Sequence, residues 1–219
     1  MILGKDDPTR MKGKVLSLDE LLNSNRLCFL ECIAVIRDKD GKHSEEDRLA
    51  AFDELEMIVE GIDNASNMQR MNLWPEIFAC ISPSESVEVV RFALWIIGTC
   101  AQNNPETQKD LLEKHNIFSR LLELWQDSTH ESSQIQPKIM YCLSSLLSNN
   151  PAGLEDFIAR DGFKIIDNFH FETVSSKIKF LLRTVLSNEI GSDTVRCLIK
   201  DSPNLILLLE SEEAESEQS

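Results

Sequence analysis

"ALWIIGTCAQNNP" at residues 93–105 and "IMYCLSSLLSNNP" at residues 139–151 decide the fold, because both stretches follow the same plan. Each is an apolar segment with helical character that ends in Asn-Asn-Pro. Trp95 and Tyr141 lie 46 positions apart, and the two Asn-Asn-Pro corners have the same offset. The spacing indicates an internal repeat.

The Asn-Asn-Pro corner has a physical explanation. Asn tolerates the left-handed backbone conformation that closes a helix, and its amide can satisfy terminal carbonyl groups. Pro lacks a backbone N–H and stops the preceding helix, yet it suits the first turn of the next one. We therefore interpret both corners as structural.

Further copies appear at a shift of 39 positions. At this shift, "LLSNN" at 146–150 aligns with "VLSNE" at 185–189, and "IGTCAQN" at 97–103 aligns with "IVEGIDN" at 58–64. The pattern predicts long helices at residues 44–63, 87–104, 134–149 and 174–189. Shorter helices are predicted between them and after the last, at residues 106–115, 117–126, 153–161, 163–170, 192–201 and 204–210.

Three helices in a unit of about 40 residues are typical of armadillo repeats. One unit cannot cover its own apolar face and must stack on its neighbours. The predicted fold class is all-α, an armadillo-like right-handed α-solenoid of about four repeats. The predicted organisation is a flexible N-terminal segment, a helical cap, the repeats and an acidic disordered tail, at residues 1–15, 16–43, 44–210 and 211–219.

The formal net charge is −15, and five of the carboxylates lie in "ESEEAESEQS" at 210–219. Nucleic acids and anionic membranes would repel such a chain, because both require clustered Lys and Arg. Two explanations of the acidity stay open, namely solubility and a basic patch on a protein partner.

The cysteines are scattered and lie mostly among apolar neighbours, which predicts reduced thiols; they are Cys28, Cys32, Cys80, Cys100, Cys142 and Cys197. The N-terminus lacks the apolar stretch of a signal peptide, and no apolar run has the length of a membrane span. We expect a cytoplasmic location, with the nucleus as a further compartment.

One face of each long helix is left for a partner, on the predicted concave side. In the helix at 134–149 the apolar stripe is Ile135, Ile139, Leu143, Leu146 and Leu147. The opposite stripe and its shifted equivalents are Pro137, Tyr141, Ser144, Ser145 and Ser148; Arg91, Trp95, Gly98, Thr99 and Gln102; Ser176, Phe180, Arg183, Thr184 and Ser187; and Phe52, Glu56, Val59, Glu60 and Asp63. The equivalent aromatic rings are either partner contacts or part of the core.

The sequence contains no catalytic constellation. Its histidines, His43, His115, His130 and His170, have no Cys or acidic neighbours at metal-ligand spacing, and no phosphate-binding or nucleophile motif is present. We expect no metal and no cofactor. Glu56 and Glu60 stand one helical turn apart, and on an open groove they favour docking of Lys or Arg over acid–base catalysis.

The stretches "LAAFDELEMIVEGIDNASNM" (49–68), "LWPEIF" (73–78) and "ALWIIGTCAQNNPETQ" (93–108) resemble the armadillo-type nucleotide exchange factors of the 70-kDa heat-shock chaperones. This is the Fes and Hsp-binding-protein family, whose luminal relative is the Sil type. The similarity spans roughly residues 45–170. Relative to that family the chain stops early, in an acidic tail, so a shorter groove is expected.

The resemblance implies a non-enzymatic co-chaperone, expected to act as a monomer. Members hold one lobe of the chaperone's ATPase domain in the concave groove and displace the other, so that ADP leaves faster. The family match points to partner-binding residues at Asp63, Asn64, Gly98, Gln102, Asn103 and Asn104. The groove pattern adds Glu56, Glu60, Arg91, Trp95, Thr99, Lys138, Tyr141, Ser145, Arg183 and Thr184.

A second hypothesis is an armadillo adaptor that binds basic peptides, such as import signals, or another protein. Such carriers use a Trp followed by Asn one turn later along the groove. Here Thr99 follows Trp95 and Ser145 follows Tyr141, so the Trp–Asn pattern is absent. An enzyme is the third class.

Overall fold

The computed structural model describes residues 18–126, 132–169, 171–187 and 192–216. Within these ranges all regular secondary structure is helical, which confirms the predicted all-α class. The expected flexible segment at residues 1–15 lies outside the described residues.

In chain order the helices are α1 (Leu18–Arg37), α2 (Glu45–Val59), α3 (Ile62–Ala65), α4 (Asn67–Arg70), α5 (Trp74–Ala79), α6 (Val87–Ala101), α7 (Pro105–His115), α8 (Ile117–Gln126), α9 (Ser132–Leu147), α10 (Pro151–Ala159), α11 (Gly162–Ile166), α12 (Phe171–Leu186), α13 (Ser192–Leu198) and α14 (Pro203–Ser216), with a 3-10 turn at Ile199–Asp201. From α2 to α12, two or three shorter helices separate each long helix from the next.

The long helices α2, α6, α9 and α12 correspond to the four that the repeat predicts. Each packs on the next, α1 packs on α2, and α14 packs on α12. The predicted apolar stripe of α9 is buried from Ile139 to Leu147, whereas Ile135 at its start is only half-buried. Full burial of a Leu or Ile side chain contributes about 1.5–3 kcal/mol, so this stripe anchors α9 between its neighbours.

The Asn-Asn-Pro corners have the predicted structure. Asn103 and Asn149 both have φ of 52°, in the left-handed region that ends a helix. The next residue of each corner, Asn104 or Asn150, caps the following helix, and its side-chain oxygen accepts a hydrogen bond from the backbone N–H of Thr107 or Gly153. Pro then begins the new helix.

Helix α2 is shorter than the predicted 44–63. Ser44 and Asp47 form a reciprocal capping box at its start, and the helix ends at Val59. The chain bends at Glu60 and Gly61, and α3 begins at Ile62. The bend is permitted by glycine, which is the residue with least preference for continuing a helix apart from proline.

The sequence predicts a disordered tail at residues 211–219, but residues 211–216 are helical. Helix α14 continues through Ser216, while residues 217–219 lie outside the described part of the chain. Leu205 and Leu208 are buried and anchor this helix to the stack. Glu is a good helix former, so the anchored helix extends into the acidic stretch.

All six cysteines are free thiols, as predicted. Cys32, Cys80, Cys100 and Cys142 are buried, and Cys197 is exposed. Over the ranges that the structure describes, no helix combines the length and apolarity that a bilayer span requires.

Candidate partner-binding groove

Two adjoining hollows run across the face of the long helices, and together they are the groove of this protein. The first has a volume of about 510 Å³ and is lined by Glu56, Glu60, Ile62, Thr99, Gln102, Asn103 and Tyr141. The second has a volume of about 500 Å³ and is lined by Gln102, Asn103, Met140, Tyr141, Ser144, Ser145, Ser148, Ser176, Lys177 and Phe180. Gln102, Asn103 and Tyr141 form the ridge between them.

The first hollow is acidic at its α2 side. Glu56 is half-buried and Glu60 is exposed, on consecutive turns at the end of α2. The hollow is open to solvent, so two carboxylates there attract a cationic side chain without the desolvation cost of a closed site. The arrangement suits docking of a Lys or Arg from a partner.

A hydrogen-bond network ties α2, α6 and α9 together under the ridge. Tyr141 Oη lies 3.2 Å from both Thr99 Oγ1 and Gln102 Oε1. Thr99 Oγ1 also lies 3.2 Å from Glu56 Oε1. Thr99 and Tyr141 have one hydroxyl proton each, so they cannot donate all three of these hydrogen bonds. If the Gln102 amide is turned over, its N–H donates to Tyr141, Tyr141 donates to Thr99, and Thr99 donates to Glu56.

The Tyr141 ring lies directly on Gly98 of α6. A Cβ atom built on Gly98 would be 2.5 Å from Cδ1 and Cε1 of the ring, which is closer than such atoms can approach. Glycine therefore allows the ring to reach Thr99 and Gln102. Burial raises the pKa of Tyr141, so its hydroxyl stays protonated and able to donate.

Trp95 is covered by a cation. The Nζ atom of Lys138 lies 3.8 Å from the centroid of the Trp95 ring, a contact that typically contributes about 1 kcal/mol. Burial, and next the nearby Arg91, lower the pKa of Lys138. Arg91 itself pairs with Glu88, with 2.7 Å between Nη1 and Oε1. A partner would therefore meet Lys138 before the Trp95 ring.

The three rings of the predicted aromatic column differ in their exposure and contacts. Trp95 and Tyr141 are half-buried and engaged with neighbouring helices. Phe180 is 58% exposed and lies at the far side of the second hollow, which leaves its ring free for contact.

Seven of the predicted partner-binding residues line the groove, and they are Glu56, Glu60, Thr99, Gln102, Asn103, Tyr141 and Ser145. Seven other predicted partner-binding residues lie outside the two hollows, and they are Asp63, Asn64, Arg91, Trp95, Lys138, Arg183 and Thr184. Thr184 Oγ1 donates to the carbonyl of Phe180 in its own helix, at 2.9 Å.

Two predicted residues are inaccessible to a partner, and their roles are corrected to structural ones. Asn104 is 3% exposed because its side chain turns inward to cap α7. Gly98 is buried under Tyr141. The 39-residue shift also placed Phe52 and Val59 of α2 on the partner-facing stripe, and this prediction was wrong because both are buried. The Phe52 ring centroid lies 5.8 Å from that of Phe92.

Sequence reasoning missed several residues of the groove as candidate site residues. The repeat pattern could have identified four of them, because Phe180, Ser144, Ser148 and Ser176 lie on the predicted stripes. Met140, Lys177 and Ile62 lay beside the stripes, and nothing in the repeat pattern selects them.

No group of three or more His, Cys, Asp or Glu side chains within the described ranges could hold a metal ion. His130 and His170 lie outside those ranges. The expectation of no metal and no cofactor therefore stays a prediction.

Comparisons with known proteins support the resemblance. Residues 1–68 match the family model "Nucleotide exchange factor Fes1". This match lies largely ahead of the predicted span of similarity at 45–170 and includes the N-terminal cap.

Curated relatives extend the similarity over the repeats. The chain is 38% identical over 128 residues to the Hsp70 nucleotide exchange factor FES1 of Mycosarcoma maydis, covering 58% of this chain and 32% of the relative. It is 30% identical over 204 residues to that of Saccharomyces cerevisiae, covering 90% of this chain and 63% of the relative. The chain thus spans between about a third and two thirds of the length of these relatives.

A solved structure supports the fold. A designed armadillo repeat protein, in complex with the peptide (KR)4, matches with a TM-score of 0.59 at 15% identity, covering 90% of this chain and 95% of that one. At this identity the likeness concerns the fold alone. The chain is therefore an armadillo-like α-solenoid whose sequence is similar to the Fes1-type Hsp70 nucleotide exchange factors.

Proposed function

We propose that this chain is a nucleotide exchange factor that binds the ATPase domain of an Hsp70 chaperone through its groove and accelerates ADP release. The observation that carries the proposal is the alignment with the Saccharomyces cerevisiae Hsp70 nucleotide exchange factor. Because it covers 90% of this chain, it includes every helix that forms the groove.

The mechanism is thermodynamic coupling and requires no catalytic group. The factor and ADP prefer different arrangements of the ATPase lobes, so each weakens the binding of the other by the same factor. Coupling of about 1–3 kcal/mol is typical for such linkage, which corresponds to a change in affinity of about 5–150-fold. The protein only needs a stiff surface that fits one lobe arrangement better than the other.

The groove has the features that such a surface requires. The network of Glu56, Thr99, Tyr141 and Gln102 fixes its ridge and its α2 side, so little ordering is needed on binding. Its acidic side suits a basic side chain of the partner, and the exposed Phe180 ring offers an apolar contact. We further propose that the factor is monomeric, acts in the cytoplasm or nucleus, and binds neither nucleic acid nor membrane.

Release of a fluorescent ADP from the chaperone, with and without this protein, tests the proposal. We expect acceleration that saturates with factor concentration and is reduced in the double variant Glu56→Gln, Glu60→Gln. Glu123→Gln combined with Glu155→Gln removes the same charge from exposed positions on α8 and α10, outside both hollows, and serves as the control. Unchanged release at saturating factor would exclude the function.

The acidic side of the groove favours one second candidate, an adaptor that binds basic peptides. Glu56 and Glu60 in an open hollow of about 510 Å³ are the observation behind it. Binding of a peptide of alternating Lys and Arg, measured at physiological ionic strength, compares the two candidates. Tight peptide binding without any effect on ADP release would select the adaptor.

A further inference from the structure

The second hollow has polar groups on its floor that the fold does not use. Ser144 is 7% exposed and Ser145 is 5% exposed, and both line the hollow. Within the described part of the chain, neither hydroxyl has a hydrogen-bond partner. By contrast, the hydroxyls of Thr184 and Ser187 donate to carbonyls of their own helix.

A hydroxyl at a nearly buried position that has no partner in the protein needs a ligand or water to complete its hydrogen bonding. Buried polar groups in proteins are almost always hydrogen-bonded, because leaving one unpaired carries a desolvation cost. The Ser144 and Ser145 hydroxyls are absent from the buried atoms that lack a partner, so the oxygens themselves remain reachable from the hollow. They are therefore positioned to bond a group that enters it.

The walls of the same hollow are apolar and aromatic. Tyr141 forms one wall, on α9, and Phe180 forms the other, on α12. Phe180 is 58% exposed, an unusual state for a ring of this size on a helix that packs on both sides. A planar ring inserted between these walls would cover apolar surface on both of its faces.

We propose that this hollow is a subsite for one tyrosine side chain of the partner. A phenol combines a ring that packs against Tyr141 and Phe180 with a hydroxyl that both donates and accepts, as the two serine hydroxyls require. A plain aromatic side chain would leave both serines unpaired. A carboxylate could pair with Lys177, which also lines the hollow, but it would lose water against the two rings. The assignment of the tyrosine to the chaperone rests on the proposed function.

The subsite also gives the partner a fixed orientation. It lies on the α12 side of the Tyr141 ridge, whereas the carboxylates of Glu56 and Glu60 lie on the α2 side. A partner that engages both places a basic side chain toward the N-terminal part of the stack and a tyrosine toward its C-terminal part. A segment bound in reverse would meet Lys177 with its basic side chain.

Side-chain analogues test the subsite without the chaperone. The full chain, labelled with nitrogen-15, is titrated with p-cresol, toluene and propionate, and the backbone amides of Ser144–Ser148 are followed by NMR. We expect p-cresol to bind about five-fold or more tightly than toluene, the gain of about one hydrogen bond. The double variant Ser144→Ala, Ser145→Ala should keep toluene binding and lose the preference for p-cresol.

The variant should fold, because alanine is the better helix former and neither hydroxyl bonds the protein; a thermal melt checks this. Equal binding of p-cresol and toluene to the wild-type chain, or stronger binding of propionate, would overturn the subsite.

The same variant separates this inference from the proposed function. Weaker acceleration of ADP release by the double serine variant supports the assignment of the tyrosine to the chaperone, and wild-type acceleration would overturn that assignment. If the wild-type chain does not accelerate release at all, the proposed function fails. The p-cresol titration then still decides whether the subsite exists.

Discussion

Gly98→Ala probes the contact on which the groove is built. The new Cβ atom would lie 2.5 Å from two ring carbons of Tyr141, and the ring cannot retreat without giving up its contacts with Thr99 and Gln102. Overpacking of this kind costs about 1–3 kcal/mol, whereas alanine gains about 1 kcal/mol over glycine inside a helix. We expect a net loss of stability of up to about 2 kcal/mol.

The effect should change sign when the ring is removed. In a Tyr141→Ala background, Gly98→Ala should stabilise the protein by about 1 kcal/mol, because only the helix preference remains. Urea denaturation of the four proteins in this cycle gives a coupling energy, expected at about 1–3 kcal/mol. If Gly98→Ala has the same effect in both backgrounds, the ring does not rest on α6 and the described network is wrong.

Four further predictions concern the corners, the exposed ring and the thiols. Asn150→Ala should lower the free energy of unfolding by about 1 kcal/mol, because Asn150 accepts from the Gly153 N–H and donates to the Leu146 carbonyl. Asn149→Gly, at φ of 52°, should leave that free energy nearly unchanged in the same denaturation assay. Phe180→Ala should weaken binding of the ATPase domain by about 2 kcal/mol in calorimetry with little change in melting temperature. Leu207→Ala, which is similarly exposed at 55% but lies on α14, is the matched control, and an equal effect of the two would contradict a specific role for Phe180. Iodoacetamide at pH 8 should alkylate the exposed Cys197 first, as read by mass spectrometry. Burial raises the pKa of Cys142 to about 12, so about one thiol in ten thousand is ionised at that pH, and fast labelling of Cys142 in the native protein would contradict its burial.

The repeat made most of the fold predictable. The 46-residue offset placed both Asn-Asn-Pro corners, and the structure gives their first Asn residues the same φ of 52°. Helix α8 begins and ends at the predicted residues, 117 and 126. The end of α2 was not predictable from the repeat, because the chain after Val59 turns into two short helices that have no counterpart after α6.

The site was less predictable, because it depends on contacts between helices. Shifts of 46 and 39 positions preserve the helical phase among α6, α9 and α12, and they placed Tyr141 and Phe180 correctly on one face. The same shift applied to α2 gave Phe52, which packs on Phe92. The bonds of Thr99 to Glu56 and Tyr141 join residues more than 40 positions apart, and periodicity carries no information on such pairs.

The central claim is that the groove selects one arrangement of the ATPase lobes. Its most direct test is whether ADP and this protein weaken each other's binding to the ATPase domain. Isothermal titration calorimetry gives the Kd of this protein for the ATPase domain without nucleotide and for the ADP-saturated domain. We expect ADP to weaken binding by about 5–150-fold, and by the same factor by which this protein weakens ADP binding. Equal Kd values in the two titrations would contradict the account, since a partner with equal affinity for both states cannot shift them.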